Sequence, residues 1–327
     1  MRYTTLGDGD RAFDVSTLAL GTMLHGTAVD EETSFAILDR YVAAGGTFLD
    51  TANNYSLWAG GHGRDSEDVL GRWLASRDAR DEVRLATKLG AAQKDRSKPL
   101  SSTPPTNYQG LGADVIRREA QESLRHLGVE KIDLLYGHVD DLDTPLAETV
   151  GAFGKLQAEG VVGLTGISNV ATWRVVEARA EAERQGVPGY SVVQENFSYI
   201  YPPPVPSRQD WANADLLDYA ASTGVDGRPR LSVVAYSPVH QGAFARDDKP
   251  LYGGTDRPGN RARIAELRQV AHELGATPSQ VALAWLLGGD WPVVPLIGPS
   301  SVAQLDELLD AAELDLSADV RERLDAA

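Results

Sequence analysis

No cysteine occurs anywhere in the 327 residues. Disulfide staples, thiolate zinc centres and thiol nucleophiles are therefore excluded. Lysine is scarce too, limited to Lys88, Lys94, Lys98, Lys131, Lys155 and Lys249, so a lysine at the end of a buried strand stands out. Positive charge as a whole is short: 31 Lys and Arg stand against 47 Asp and Glu, for a net charge of -16. With no basic stretch to track phosphates, nucleic acid is a poor partner, and the acidic excess reads as a solvated surface. The first twenty residues hold Arg2, Asp8, Asp10, Arg11 and Asp14 but no apolar run. Neither a signal peptide nor a membrane span is expected, and the protein is read as cytoplasmic. The histidines include no H-x-H or H-E-x-x-H pair, so no metal site is expected.

What is present suits a globular α/β protein. A hydrophobic share of 42% with 24% charged residues supplies a sizeable core and argues against disorder. Short β-rich segments alternate with helical patterns, and eight strands are expected to end at Leu20, Asp50, Lys88, His138, Ser168, Asn196, Tyr236 and Ile297. Helices of the expected period are read over residues 31–44, 66–76, 113–127, 146–159, 171–185, 215–223, 263–274 and 302–312. Gly45 and Gly46, Gly128, Gly160 and Gly186 follow such stretches as C-terminal caps. Thr277-Pro278-Ser279-Gln280 has the form of a capping box with proline at the first helical position, opening one additional helix. Strands such as Ile132 to Tyr136 and Leu231 to Ala235 are apolar runs rather than alternations, each broken by one polar residue, as parallel strands buried on both faces should be. Residues 1–14 read as a β-hairpin outside the repeat. Two segments, Leu89 to Gly112 and the proline-rich Ser198 to Asn213, are long enough to be lids or binding loops.

Two glycine-rich motifs are set aside. Gly7-Asp8-Gly9-Asp10-Arg11-Ala12 fits a dinucleotide fingerprint, but Phe13-Asp14-Val15-Ser16 continues as a strand where that fingerprint needs a helix. Gly60-Gly61-His62-Gly63 lacks the Gly-Lys-Ser/Thr that a phosphate loop requires.

The residues that carry chemistry sit at strand ends. Asp50-Thr51-Ala52-Asn53-Asn54-Tyr55 starts at the end of the second strand, Lys88 closes the third and His138 the fourth. In a (β/α)8 barrel such ends converge on one mouth. A phenol with an ordinary pKa near ~10 is a poor acid at neutral pH. Lys88 beside Tyr55 would lower that value, Asp50 would keep Lys88 charged, and His138 could donate to a carbonyl oxygen.

Asp50, Tyr55, Lys88 and His138 resemble the catalytic tetrad of the aldo-keto reductase superfamily in order and strand position, and the resemblance covers nearly the whole chain. It implies a (β/α)8 TIM barrel with an N-terminal β-hairpin and long loops at the C-terminal mouth, residues 1–327 forming one domain. It also implies an enzyme that moves hydride between a nicotinamide cofactor and a carbonyl. By the same resemblance, Ser168, Asn169 and Gln194 hold the nicotinamide carboxamide, and Tyr236, followed by Ser237 and Pro238, stacks on the ring. The following loop, with Gln241, covers the pyrophosphate. The stretch Ile297-Gly298-Pro299-Ser300-Ser301 leads into a helix start suited to anions, with Gln304 and Glu307 toward the adenosine. Gly21, Thr22 and Asp50 complete the expected cofactor contacts.

There are departures. Residues 297–310 contain no basic side chain, whereas the family commonly places one there to grip a 2′-phosphate. NADPH/NADP+ is expected, and NADH/NAD+ stays open. Trp58, Tyr199 and Trp211, with His138, are expected to line the substrate site, and Tyr201 lies in the same loop; an aromatic pocket suits a sugar-like or extended apolar carbonyl. Two alternatives are a sugar or alcohol dehydrogenase working oxidatively and a nicotinamide-binding subunit without turnover. No heptad or exposed apolar stripe speaks to oligomeric state.

Overall fold

The computed structural model describes residues 1–57, 61–95, 97, 101–102, 105–203, 211–225 and 227–327. The chain opens with β1 (Tyr3–Leu6) and β2 (Phe13–Ser16), an antiparallel hairpin in the expected place. Parallel strands follow: β3 (Ala19–Gly21), β4 (Phe48–Asp50) and β5 (Arg84–Leu89). The third loop, expected to be irregular, contains a short antiparallel ladder of β6 (Ser101–Ser102) and β7 (Pro105–Thr106). The remaining strands are β8 (Ile132–Gly137), β9 (Val162–Ser168), β10 (Val192–Asn196), β11 (Ser232–Tyr236) and β12 (Val293–Ile297). Among the described residues, eight strands close a barrel in the order β10-β11-β12-β3-β4-β5-β8-β9. The eight expected strand ends lie within one residue of those observed.

Successive residues of a strand point to opposite faces, so each apolar run serves two cores. Ala19, Phe48, Ala86, Leu134, Leu164, Val192, Val234 and Val294 fill the barrel interior. Leu20, Leu49, Leu85, Leu135, Val193 and Val233 face the surrounding helices. Leu6 and Val15 of the hairpin join the interior cluster. Gly7 allows that closure, because its φ is +74° and a Cβ there would stand 2.7 Å from Leu164 Cδ2.

The helices are α1 (Glu31–Ala43), α2 (Asp65–Arg77), α3 (Ala113–Leu127), α4 (Leu146–Ala158), α5 (Thr172–Gln185), α6 (Ala214–Ala221), α7 (Pro258–Leu274), α8 (Pro278–Leu287), α9 (Val302–Leu309) and α10 (Ala318–Ala326). Gly128 and Gly186 are left-handed C-caps, and Thr277 with Gln280 forms the capping box on α8. Two boundaries differ from expectation by three residues or more, and one helix was not expected. Helix α7 begins at Pro258, five residues before Arg263, because proline suits a first turn that leaves its N–H unpaired. Helix α9 ends at Leu309 and tightens into a 3-10 turn over Asp310–Glu313. Helix α10 was not anticipated from the sequence, since it is mostly polar and owes its place to Leu324, which is buried with Tyr199, Phe244 and Leu267. No helix among the described residues is long and apolar enough to cross a membrane.

Two histidines are buried where neither ring nitrogen finds a partner among the described residues, His25 after β3 and His240 after β11. Burial lowers each to about 4. The unfolded chain therefore takes up these protons first as pH falls, so stability is intact above ~6.5 and declines toward pH 4, by roughly 3 kcal/mol per histidine. Thermal denaturation of the His25→Met variant between these pH values should show a shallower acid slope than the native chain. An identical slope would mean that His25 does not titrate differently on folding.

Candidate active site

Strand ends bring the expected catalytic residues together. Asp50 ends β4, Lys88 is the penultimate residue of neighbouring β5, and His138 follows β8 on the next strand along. Tyr55 comes in from the loop after β4. Lys88 Nζ donates to Asp50 Oδ1, to the Thr51 carbonyl at 2.8 Å and to the Tyr55 hydroxyl oxygen at 2.8 Å. An ammonium has three hydrogens and no lone pair, so all three are committed and the phenol oxygen must be the acceptor. Toward Lys88 the phenol therefore acts through its oxygen lone pair and not through its hydrogen. The His138 ring stands edge-on to Tyr55, centroids 5.8 Å apart.

Asp50 is 0% exposed, Lys88 1% and Tyr55 8%, so electrostatics act here through a medium that screens weakly. Burial pulls the Lys88 ammonium down, but Asp50 and Tyr55 more than offset this and leave it raised and protonated. Burial pushes the Asp50 carboxyl up, opposed by Lys88 and by Gln194. For Tyr55 the expectation of a net lowering is not met. Burial raises the phenol above its ordinary value, Lys88 pulls it back, and Asp50 adds to the rise. His138 lies well below the usual imidazole range through burial and then the Lys88 charge, which makes it a neutral ring at neutral pH.

The loop that presents Tyr55 is held by residues that the sequence reading missed. Asn53 donates its backbone N–H to the Lys88 carbonyl and its side-chain amide to Glu119 at 2.9 Å. Arg64 links Glu119 (2.6 Å) to Glu67 (2.7 Å), and Thr87, next to Lys88, donates to Glu67 at 2.7 Å. Ser56, directly after Tyr55, takes a φ of +75°, a costly conformation for a non-glycine residue that persists only in an over-determined loop. The available signal was Glu67, a carboxylate among Val69, Leu70, Trp73 and Leu74 on the buried face of α2.

Other expected site residues divide by placement. Ser168 donates to the Gln194 carbonyl at 2.7 Å. Asn169, with φ +55°, donates to the His138 carbonyl at 2.8 Å and accepts from the Tyr236 hydroxyl at 2.9 Å. The Gln194 amide donates to Asp50 Oδ2 at 2.9 Å. Half-buried Tyr236 and Ser237, buried Pro238 and exposed Gln241 follow in the loop after β11, where Ser237 and Gln241 both have positive φ. Gly21 packs against Leu296, which a Cβ would approach to 3.2 Å. Gly298, Ser300 and Gln304 are exposed at the start of α9, where Gln304 Oε1 accepts from the Ser300 N–H at 2.8 Å and from its hydroxyl at 2.9 Å. Trp211 is half-buried beside the end of β10, its ring 5.8 Å from that of His240. Trp58 lies outside the described residues.

One expectation is corrected, and three other residues prove to be tied into the framework. Tyr199 does not line the mouth; it is 1% exposed, donates to the Leu324 carbonyl and sits edge-on to Trp285, because it supplies apolar area that α7 and α10 need. Glu307 accepts from Thr277 at 2.8 Å, which ties it to the start of α8. Thr22 is fully buried, its hydroxyl shared between the Asp50 carbonyl and Ser66, so it supports Asp50 from beneath. The Ile297 side chain belongs to the outer core.

A parallel eight-stranded barrel with a Tyr–Lys–Asp unit at its C-terminal mouth defines a class of proteins equipped to move a proton to or from a bound oxygen. The comparisons narrow that class. Residues 17–327 match the model of the Aldo/keto reductase family. The chain is 33% identical to an uncharacterized oxidoreductase, YrpG, of Bacillus subtilis, over 98% of this chain and 94% of that protein. It is 31% identical to the norsolorinic acid reductase stcV of Emericella nidulans, over 93% of this chain and 76% of that protein. It is 30% identical to the aldo-keto reductase str7 of Strobilurus tenacellus, over 93% and 86%. The chain belongs to the aldo/keto reductase family.

Replacing Lys88 by Met strands the Asp50 charge in a dry site and removes three hydrogen bonds. A loss of about 3–5 kcal/mol is expected in urea unfolding. Stability equal to the native chain would show that the pair contributes nothing to holding the barrel mouth.

Proposed function

We propose that this protein is an NAD(P)H-dependent reductase of aldehydes or ketones, working as a single barrel domain over residues 1–327, with Tyr55 as the proton donor. The observation that carries the reading is the committed geometry of Lys88, which holds its ammonium against the Tyr55 oxygen as a hydrogen-bond donor, where it can stabilise the phenolate that proton transfer leaves. When that proton leaves, the charge left on the phenol oxygen forms against an ammonium already in place, with no solvent to reorganise. His138, neutral and beside Tyr55, suits a hydrogen bond to the substrate oxygen that directs it toward the phenol.

The residues present fit a nicotinamide dinucleotide. Ser168, Asn169 and Tyr236 form a hydrogen-bonded rim at the ends of β9 and β11 beside the catalytic group, suited to the carboxamide and ring face. The start of α9 offers backbone N–H groups and the Ser300 hydroxyl to a phosphate, and a Cβ at Gly298 would meet nothing within 4 Å, so the backbone there is open to close approach. Bound there, the cofactor supplies the hydride that reaches the carbonyl carbon. NADPH is the proposed partner, held at its 2′-phosphate by hydroxyl and backbone donors where a basic side chain is absent, with NADH as the competing choice. Arg40 of α1 reaches α9 but is paired with Asp306 at 2.7 Å. Relatives named as norsolorinic acid reductases favour the reductive direction over an oxidative dehydrogenase. Trp211 remains the aromatic residue proposed to contact a sugar-like or extended apolar carbonyl.

Tyr55→Phe should lower kcat for carbonyl reduction by roughly a hundred- to ten-thousandfold while leaving NADPH affinity, read by fluorescence quenching, unchanged. Retained turnover overturns the assignment. Because His138 is held neutral, kcat should show no ionisation near ~6.5; a rate that bends there would mean that His138 charges in the working enzyme.

A further inference from the structure

Resting on the reductase reading above, we propose that Gln194 is a positioning residue that braces Asp50 from across the barrel and thereby sets the direction of the Lys88 charge at Tyr55. In the closed barrel, β10 and β4 are four strands apart whichever way one counts. The hydrogen bond from Gln194 Nε2 to Asp50 Oδ2 therefore spans the interior from one wall to the opposite one. Gln194 is 2% exposed and Asp50 0%.

A carboxylate held through one oxygen can rotate about its terminal torsion, which is broad and shallow. Here Lys88 takes Oδ1 and Gln194 takes Oδ2, so the plane of the group is fixed at both oxygens. Since Lys88 has no uncommitted hydrogen, fixing Asp50 also fixes where the ammonium meets the phenol. Gln194 is itself held in register. It pairs with Ser168 on β9 and Val234 on β11, and its carbonyl accepts from the Ser168 hydroxyl. Next to it lies Tyr136, fully buried, whose ring is 5.9 Å from Lys88 Nζ. Gly166 makes room for that ring, since a Cβ there would be 2.5 Å from Tyr136 Cδ1. The ionisable groups facing Asp50 are thus Lys88 from β5, Tyr55 from the loop after β4 and Tyr136 from β8.

This differs from a residue whose only task is to hold the carboxamide. Removing a carboxamide contact weakens cofactor binding, whereas removing a brace on Asp50 changes how Tyr55 holds its proton even with no cofactor present. The test uses Gln194→Leu and Gln194→Glu in the full chain. Tyrosinate absorbance is followed against pH, and the Tyr55 contribution is isolated by subtracting the same protein carrying Tyr55→Phe. In Gln194→Leu the Tyr55 titration should move to higher pH, because the ammonium is no longer pinned at the phenol. The kcat for carbonyl reduction should fall by about tenfold or more, with NADPH affinity within about threefold of native. In Gln194→Glu two facing carboxyl groups share a proton, so kcat should gain a limb that falls as pH rises. A Tyr55 titration identical to native in both variants, or a tenfold loss of NADPH affinity with an unmoved kcat pH profile, overturns the proposal. Absence of turnover in the native chain would fell the reductase reading alone, because the absorbance titration needs no substrate.

Discussion

The Lys88 ammonium is the constraint on which the mouth of this barrel depends. A cation buried to 1% exposure is costly unless every hydrogen is bonded and a counter-charge stands beside it. Asp50, the Thr51 carbonyl and Tyr55 meet those demands, and in doing so they orient the phenol. Stability and site geometry are therefore coupled: the partners that make the lysine tolerable are those that fix where the phenol stands.

The demand propagates outward. Asp50 needs its second oxygen satisfied, which draws Gln194 in from the opposite wall, and Thr22, itself tied to Ser66, holds its backbone from below. Tyr55 needs a rigid loop, which the Arg64, Glu67 and Glu119 network supplies by tying Asn53 and Thr87 to α2 and α3. Buried ion networks of this kind give up little net stability when fully satisfied but lose much when one member is removed. That asymmetry suits a site whose geometry must persist between catalytic cycles. The far end of the barrel faces no such demand, and there the hairpin closes the interior with apolar Leu6 and Val15, Phe13 packing beside them.

Much of the fold was legible because its physics is local. Short apolar runs, separated by one-faced helical patterns and ended by glycine or capping residues, specify strands buried on both faces. Asp50, Lys88 and His138 were legible for a related reason: polar residues at the ends of such runs can only be at a rim. Reading failed where position depends on partners distant in sequence. Tyr199 reads like a pocket aromatic, yet α10, 125 residues further on, takes it into a separate core through Leu324. Helix α10 itself lacks a strong apolar stripe of its own.

By itself the sequence determined the alternation of strands and helices and the identities of the four residues at the mouth. Side-chain period, capping chemistry and backbone propensity act within a few residues, and they do not need a folded partner. Only the tertiary structure decided which hydrogens Lys88 spends and on whom, that burial outweighs Lys88 at the phenol, and that Gln194 reaches Asp50 over 144 positions of chain. Burial and closed hydrogen-bond sets are properties of an enclosed space, and no stretch of this chain encloses one before the barrel shuts.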